Sequence, residues 1–195
     1  MPMKRVCVFC GSSAGSNSIY QEVAQRMGTA IARRGLGLVY GGGGIGLMKV
    51  LADAALGEGG EVIGVIPSSL IGKEAAHEGL ADLRVVGSMH ERKALMADLS
   101  DAFIALPGAY GTLDEFCEVL TWAQLGLHHK PCGLLNVDGF YDRLIAHFDR
   151  LVAEEFLNPA NRSLVIEAQD PGSLLDALDQ YRSPIAEQWI DREER

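Results

Sequence analysis

The sequence is short of several things that functional classes depend on. It has four cysteines in 195 residues, and only 17 lysines and arginines against 26 aspartates and glutamates. Cys7, Cys10, Cys117 and Cys132 are too few, and too embedded in apolar segments, for a disulfide framework, so the expected setting is the reducing cytoplasm. A formal charge of -9 leaves no broad cationic surface for a nucleic-acid polymer, although a few local donors suffice for one small nucleotide. No apolar run is long enough to span a bilayer, and no basic stretch with an apolar leader opens the chain; membrane spanning and secretion are both disfavoured. The five histidines, His77, His90, His128, His129 and His147, form no HExxH and no compact set with Cys or Asp, so no metal is expected. Ser12 and Ser13 have no evident histidine partner for nucleophilic catalysis. Cys7 and Cys10 have CxxC spacing, but on a strand and its end rather than at a helix start, which favours core packing over redox chemistry.

Apolar residues are plentiful at 48%, enough for one sizeable core and too few for two independent domains. Short apolar runs alternate with stretches of helical periodicity. Strands are expected at Arg5 to Phe9, Leu36 to Tyr40, Glu61 to Ile66, Leu83 to Val86, Ala102 to Leu106, Cys132 to Leu135 and Leu164 to Glu167. The helices between and after them cover Ile19 to Arg34, a segment through Leu47 and Leu56, Met89 to Leu99, Thr112 to Leu125, Tyr141 to Ala153 and Ser173 to Tyr181. This is an α/β pattern: a single three-layer domain, residues 1–182, with a mostly parallel sheet of about seven strands, then a charged tail at 183–195. Ser68 to Gly79 reads as the lid or wall of a cleft. Right-handed crossovers gather Gly11 to Ser13, Gly41 to Gly44, Pro67 and Pro107 to Thr112 at the carboxyl edge of the sheet, where ligands bind in such folds.

Three segments at that edge carry the candidate chemistry. GGGGIG, Gly41 to Gly46, lacks the acidic residue that completes a dinucleotide fingerprint, because the next strand ends in Pro67. It is no P-loop either, since Lys49 lies too late and no Ser or Thr follows it. A phosphate-binding turn and a tight packing turn both remain. In PGAYGTLDE, Pro107 to Glu115, Thr112 and Glu115 have the spacing of a capping box, while Glu115 equally suits the mouth of the cleft. Met89-His90-Glu91-Arg92-Lys93 opens a helix with two cations, against its dipole, which an anionic ligand or a partner carboxylate would explain. Trp122, Val119 and Leu120 read as helix-packing residues; Phe116 suits either the core or the cleft.

These segments together resemble the LOG (Lonely Guy) family, the cytokinin riboside 5'-monophosphate phosphoribohydrolases often mislabelled as lysine decarboxylases. The resemblance runs from about Lys4 to Leu178 and is carried by CVFCGSS, YGGGGIGLM, MHERK and PGAYGTLDE. It implies a Rossmann-like homodimer with its site near the subunit boundary. The implied reaction is hydrolysis of the N-glycosidic bond of adenosine-type 5'-monophosphates, without a cofactor. By that resemblance Arg92 and Glu115 are catalytic. By the same resemblance the nucleotide contacts include Glu74, Arg92, Lys93, Ala109, Tyr110, Gly111, Thr112, Leu113, Asp114, Glu115 and Thr121, and Ser12, Gly42, Gly43 and Gly108 of the small-residue turns are expected beside them. The alternative is a nonhydrolytic nucleotide-binding or carrier protein. One position departs from the family pattern PGGxGT: Ala109 stands where the second glycine is expected. A position requiring φ > 0 would be strained by that methyl group, whereas ordinary backbone would accept it.

Overall fold

The computed structural model describes residues 3–72 and 75–185. Most of the charged tail, residues 186–195, and Glu74, one of the expected nucleotide contacts, lie outside the described residues. Seven described strands form one sheet: β1 (Arg5–Phe9), β2 (Gly37–Tyr40), β3 (Val62–Pro67), β4 (Asp82–Val86), β5 (Ala102–Ala105), β6 (Cys132–Leu135) and β7 (Val165–Ala168). Their order is β4-β3-β2-β1-β5-β6-β7, and every neighbouring pair is parallel. The helices are α1 (Ser18–Arg33), α2 (Gly46–Gly57), α3 (Met89–Leu99), α4 (Tyr110–Gln124), α5 (Asp142–Ala153), the single turn α6 (Pro159–Arg162) and α7 (Pro171–Gln180).

The central strands read as unbroken apolar runs because both their faces are covered. Successive side chains of β1 alternate between two cores. Val6 and Val8 pack with Met27 and Ile31 of α1, Leu51 of α2 and Leu174 of α7. Cys7 and Phe9 pack with Met96 of α3 and Phe116 and Val119 of α4 on the opposite face. The CxxC pair is therefore split between two dry layers. Burial pushes both thiols up, and neither is set up as a thiolate nucleophile.

Strand order decides where a cleft opens. The chain steps outward from β1 to β4, then returns to place β5 on the other side of β1. After β1 the chain leaves for α1 on one face; after β5 it leaves for α4 on the other. The two connections diverge, and the carboxyl edge opens between them, at the topological switch point of the sheet.

The expected elements match to within two residues at each end, the single turn α6 was not expected, and the early start of α4 is the informative shift. No capping box forms between Thr112 and Glu115. The helix starts two residues earlier, with Ala109 as an N-cap that offers no side-chain acceptor. The short Pro107 to Ala109 turn leaves no room for the later start, and Thr112 ends buried against Gly108. The reciprocal capping appears instead at α3. Ser88 Oγ accepts from Glu91 N–H at 3.1 Å, and Glu91 Oε2 accepts from Gly87 N–H at 2.7 Å.

Candidate active site

A cleft of about 350 Å³ lies at this switch point. Its walls come from the turn after β1 (Gly11 to Gly15), the tip of β2 (Gly41), the turn after β5, and the first turns of α3 and α4. Gly11 N–H donates to Pro107 O at 3.1 Å, and Leu47 N–H donates to Gly11 O at 3.1 Å. These bonds tie the β1 turn to the β5 turn on one side and to α2 on the other.

Arg92 resolves the anomaly of a cation at a helix start. Its side chain is folded inward and almost wholly buried, the residue being 4% exposed, and what shows lines the cleft. Nε–H donates to Val65 O at 3.1 Å and Nη2–H donates to Gly41 O at 2.8 Å. The carbonyl ends of β3 and β2 thus satisfy a guanidinium that the helix dipole disfavours. Gly41 is required for this arrangement, because any Cβ there would collide with Nη2.

Glu115, half-buried on the second turn of α4, lines the same cleft as Arg92. Their nearness is also felt at Cys10 on the cleft floor. Burial raises that thiol's pKa most, the negative charge of Glu115 adds to the rise, and Arg92 opposes it. A carboxylate, a fixed cation and a helix N-terminus without a side-chain cap therefore meet in one recess.

Ala109 sits at φ -103° and ψ -151°, ordinary extended backbone for any residue. The glycine that the turn cannot replace is Gly108, whose Cβ would lie 2.7 Å from Thr112 Cβ and 3.0 Å from Gly11 N. The departure from the family pattern thus costs no strain.

Of the expected nucleotide contacts, Ser12, Arg92, Gly108, Ala109, Gly111, Thr112, Asp114 and Glu115 line the cleft. Tyr110, the first residue of α4, is 90% exposed, and Leu113 packs against the α3–α4 core. Gly42 and Gly43 face the 75–79 segment: Gly42 O accepts from His77 N–H at 3.0 Å, and Gly43 bridges Ala76. His77 Nδ1 accepts from Gly79 N–H at 3.1 Å while its Nε2 meets Asp53 Oδ1 at 2.9 Å. That segment is thereby fastened to α2. Lys93 Nζ lies 3.1 Å from Asp114 Oδ2 and 3.0 Å from Glu118 Oε1. Burial pulls the Lys93 pKa down, but the hydrogen bonds it donates to Glu118 and Asp114 outweigh that and leave the pKa raised. Thr121 lines a separate cavity of about 200 Å³ between α4, α5 and α6, and its Oγ1 donates to Cys117 O at 2.8 Å.

Sequence reasoning missed apolar residues of the cleft, Tyr20 and Phe140 among them. None bears charge or stands in a glycine-rich turn, and only the tertiary arrangement brings them together.

A sequence profile described as "Possible lysine decarboxylase" matches residues 48–178. The probable cytokinin riboside 5'-monophosphate phosphoribohydrolase LOGL9 of Oryza sativa subsp. japonica is 54% identical over 178 residues, 91% of this chain and 78% of that protein. The chain belongs to the LOG family. Cytokinin riboside 5'-monophosphate phosphoribohydrolase LOG1 of Arabidopsis thaliana is 49% identical, over 91% of this chain and 84% of its own. A molybdenum cofactor carrier protein from Chlamydomonas reinhardtii shares the fold, with a TM-score of 0.70 and 24% identity over 91% of this chain and 96% of that one. The decarboxylase description does not suit this LOG-family cleft: among the described residues no lysine lines it, so no amine is placed to form a Schiff base with pyridoxal phosphate.

Proposed function

We propose that this LOG-family protein is a phosphoribohydrolase that cleaves the N-glycosidic bond of adenosine-type nucleoside 5'-monophosphates, N6-substituted cytokinin nucleotides included. The products are the free base and ribose 5-phosphate. The observation that carries the reading is the convergence of buried Arg92, Glu115 and the N-terminus of α4 in one cleft at the switch point. The phosphate belongs at the backbone N–H groups of Gly111 and Thr112, in the favourable field of the α4 N-terminus, beside Ser12. Glu115, one turn further along, then stands by the ribose.

In the reaction the oxygen of water forms a bond to C1' as the bond from C1' to the base nitrogen breaks. The bonding pair leaves with the base, which takes up a proton. Glu115 accepts the proton of the attacking water, and its negative charge stabilises the oxocarbenium character at C1'. Arg92 is a permanent cation and so no general acid. It orients Glu115 and offsets the charge gathering on the departing base. Lys93 acts at one remove, by holding Asp114 at the rim.

The test is product release joined to ligand titration across nucleoside monophosphates and the matching nucleosides. The wild-type protein releases base and ribose 5-phosphate from monophosphates and little or nothing from nucleosides. Glu115→Gln keeps AMP affinity within a few-fold and loses turnover by about 100-fold or more. Near-parental adenine release by Glu115→Gln would remove its chemical role, and tight AMP binding by the wild type without product would leave a carrier.

The working unit in this reading is a homodimer. In support, α5 is strongly amphipathic yet none of its residues is fully buried, and an apolar cavity beside it is lined by Leu120, Phe148 and Leu151. Sedimentation at micromolar concentration should give twice the chain mass. The four cysteines are free thiols, which suits a cytoplasmic setting. No helix among the described residues is long and apolar enough to cross a membrane.

A further inference from the structure

The cleft does not end at the phosphate position. Along the sheet edge, Arg92 hangs on the carbonyl ends of β3 and β2, and the turns after β1 and β5 come next. Beyond them, after β6, stands Phe140. In the orientation proposed above, with C1' by Glu115 and the phosphate at the α4 N-terminus, the base points toward Arg92. Phe140 then lies on the far side of the phosphate.

Phe140 is 41% exposed, yet its ring is held from several directions. It meets the half-buried Tyr20 edge to face, with ring centroids 5.6 Å apart at 74°, and Tyr141 at 4.9 Å and 87°. The Tyr141 hydroxyl donates to Leu106 O at 2.6 Å, which ties this ring stack to the tip of β5. The chain reaches Phe140 through two left-handed residues, Asp138 at φ +50° and Gly139 at φ +70°. Aspartate in that region is uncommon and costs conformational energy. Asn136 holds the turn together, donating to Asp142 Oδ1 at 2.7 Å and accepting from Tyr141 N–H at 2.8 Å. On the opposite wall Gly15, at φ +75°, leaves room for the Tyr20 ring, which a Cβ would approach to 2.7 Å. Strained backbone and a fixed pair of rings, with one ring left facing the cleft, suit a binding surface better than core packing.

We propose that the Tyr20–Phe140 corner is a third subsite, on the side of the phosphate away from the base, that takes a planar apolar group esterified to the 5'-phosphate. The cleft then binds aryl 5'-phosphodiesters of nucleosides as well as monophosphates. The inference rests on the nucleotide orientation proposed above. The corner offers faces and edges of rings and no charge of its own, so it recognises a flat apolar group and not a second phosphate.

The test uses three ligands that cannot be hydrolysed, because a methylene replaces the ribose ring oxygen: carbocyclic AMP, its phosphate methyl ester and its phosphate phenyl ester. The two esters carry the same charge, so their affinity ratio by calorimetry isolates the aromatic group. The wild-type protein should bind the phenyl ester about fivefold more tightly than the methyl ester. Phe140→Ala should bring that ratio near one while carbocyclic AMP stays within about twofold of wild type. Phe140→Leu, which keeps the bulk without the π-face, should fall between them and guards against a folding defect. Equal affinity of the two esters for wild type would overturn the subsite. Loss of carbocyclic AMP binding in a folded Phe140→Ala protein would also overturn it, by placing the base in the corner. Adenine release from AMP by the same wild-type protein is scored separately, so failure of the hydrolase reading and failure of the subsite are told apart.

Discussion

Replacing Gly41 by alanine inserts one methyl group where Arg92 lies, and so disturbs that arginine without altering it. The new Cβ would collide with Nη2 and sit 3.0 Å from Cζ and 3.3 Å from Met48 Sδ. Gly41 is not among the glycines at positive φ, so alanine costs little in the backbone itself. The collision is what matters. The guanidinium must leave Gly41 O, bonded at 2.8 Å, and with it the geometry that holds Nε on Val65 O at 3.1 Å. Arg92 is 4% exposed, so a guanidinium pushed off these two carbonyls gives up two buried charge-assisted hydrogen bonds. Breaking a buried charged pairing on one side costs about 3–5 kcal/mol, and the lower end applies if the side chain swings toward the cleft. For a chain of this size, 3 kcal/mol lowers Tm by roughly 10 °C. A misplaced cation beside Glu115 should reduce kcat/KM by about 100-fold. The assays are adenine release and thermal melting of Gly41→Ala, Arg92→Ala and the double variant. The double variant should be no less active than Arg92→Ala, and more stable than Gly41→Ala, since the methyl group then fills vacated space. Activity of Gly41→Ala within twofold of the parent, or losses that multiply in the double variant, would refute this role for the Arg92 anchorage.

Three further outcomes follow from the site and its surroundings. Ala109→Gly should leave kcat/KM within about twofold and lower stability by about 0.5 kcal/mol through unfolded-chain entropy, because φ at 109 is already ordinary; a large gain in turnover would show that the methyl group obstructs substrate. Lys93→Met should lower Tm through the unneutralised Asp114 and Glu118 while KM for AMP changes less than about threefold, the loss being about 1 kcal/mol because Asp114 is solvent-screened. A tenfold rise in KM at unchanged Tm would place Lys93 on the phosphate. The third concerns acid. Hydrogen bonds from Arg5 hold Glu61 below the ordinary value of 4.5, and those from Arg84 hold Asp82 below 3.8. Burial works to raise Asp53, but Lys49 and His77 outweigh it and lower its pKa as well. These groups take up protons less readily when folded, so their contribution is complete above about pH 5 and is lost as pH falls through 4. Melting curves from pH 6 to pH 3 should show Tm falling over that window, and a flat profile would contradict the assignment.

Much of the fold was legible because burial on both faces writes unbroken apolar runs into the central strands. The bounds of β1, α3 and β6 coincide with those read from sequence. The start of α4 was not legible, since Ala109 offers no capping side chain and the helix begins where the Pro107–Gly108 turn leaves the sheet. The site was legible at its charged and glycine-rich residues and silent at its apolar ones. Arg92 announced itself as a cation against a helix dipole, but its acceptors lie 27 and 51 residues away in sequence. No local pattern pairs Tyr20 with Phe140 either, because the turn that presents Phe140 depends on a left-handed Asp138 held by Asn136 and Asp142.

The sequence by itself determined the alternation of strands and helices, the glycine-rich turns and the family, because periodicity and motif are local properties of the chain. Only the tertiary structure decided that Arg92 is buried on two strand ends, that Ala109 is unstrained, and that the cleft runs on into an aromatic corner. Each of those depends on which strands lie side by side at the switch point, and that order is set by packing between segments far apart in the chain.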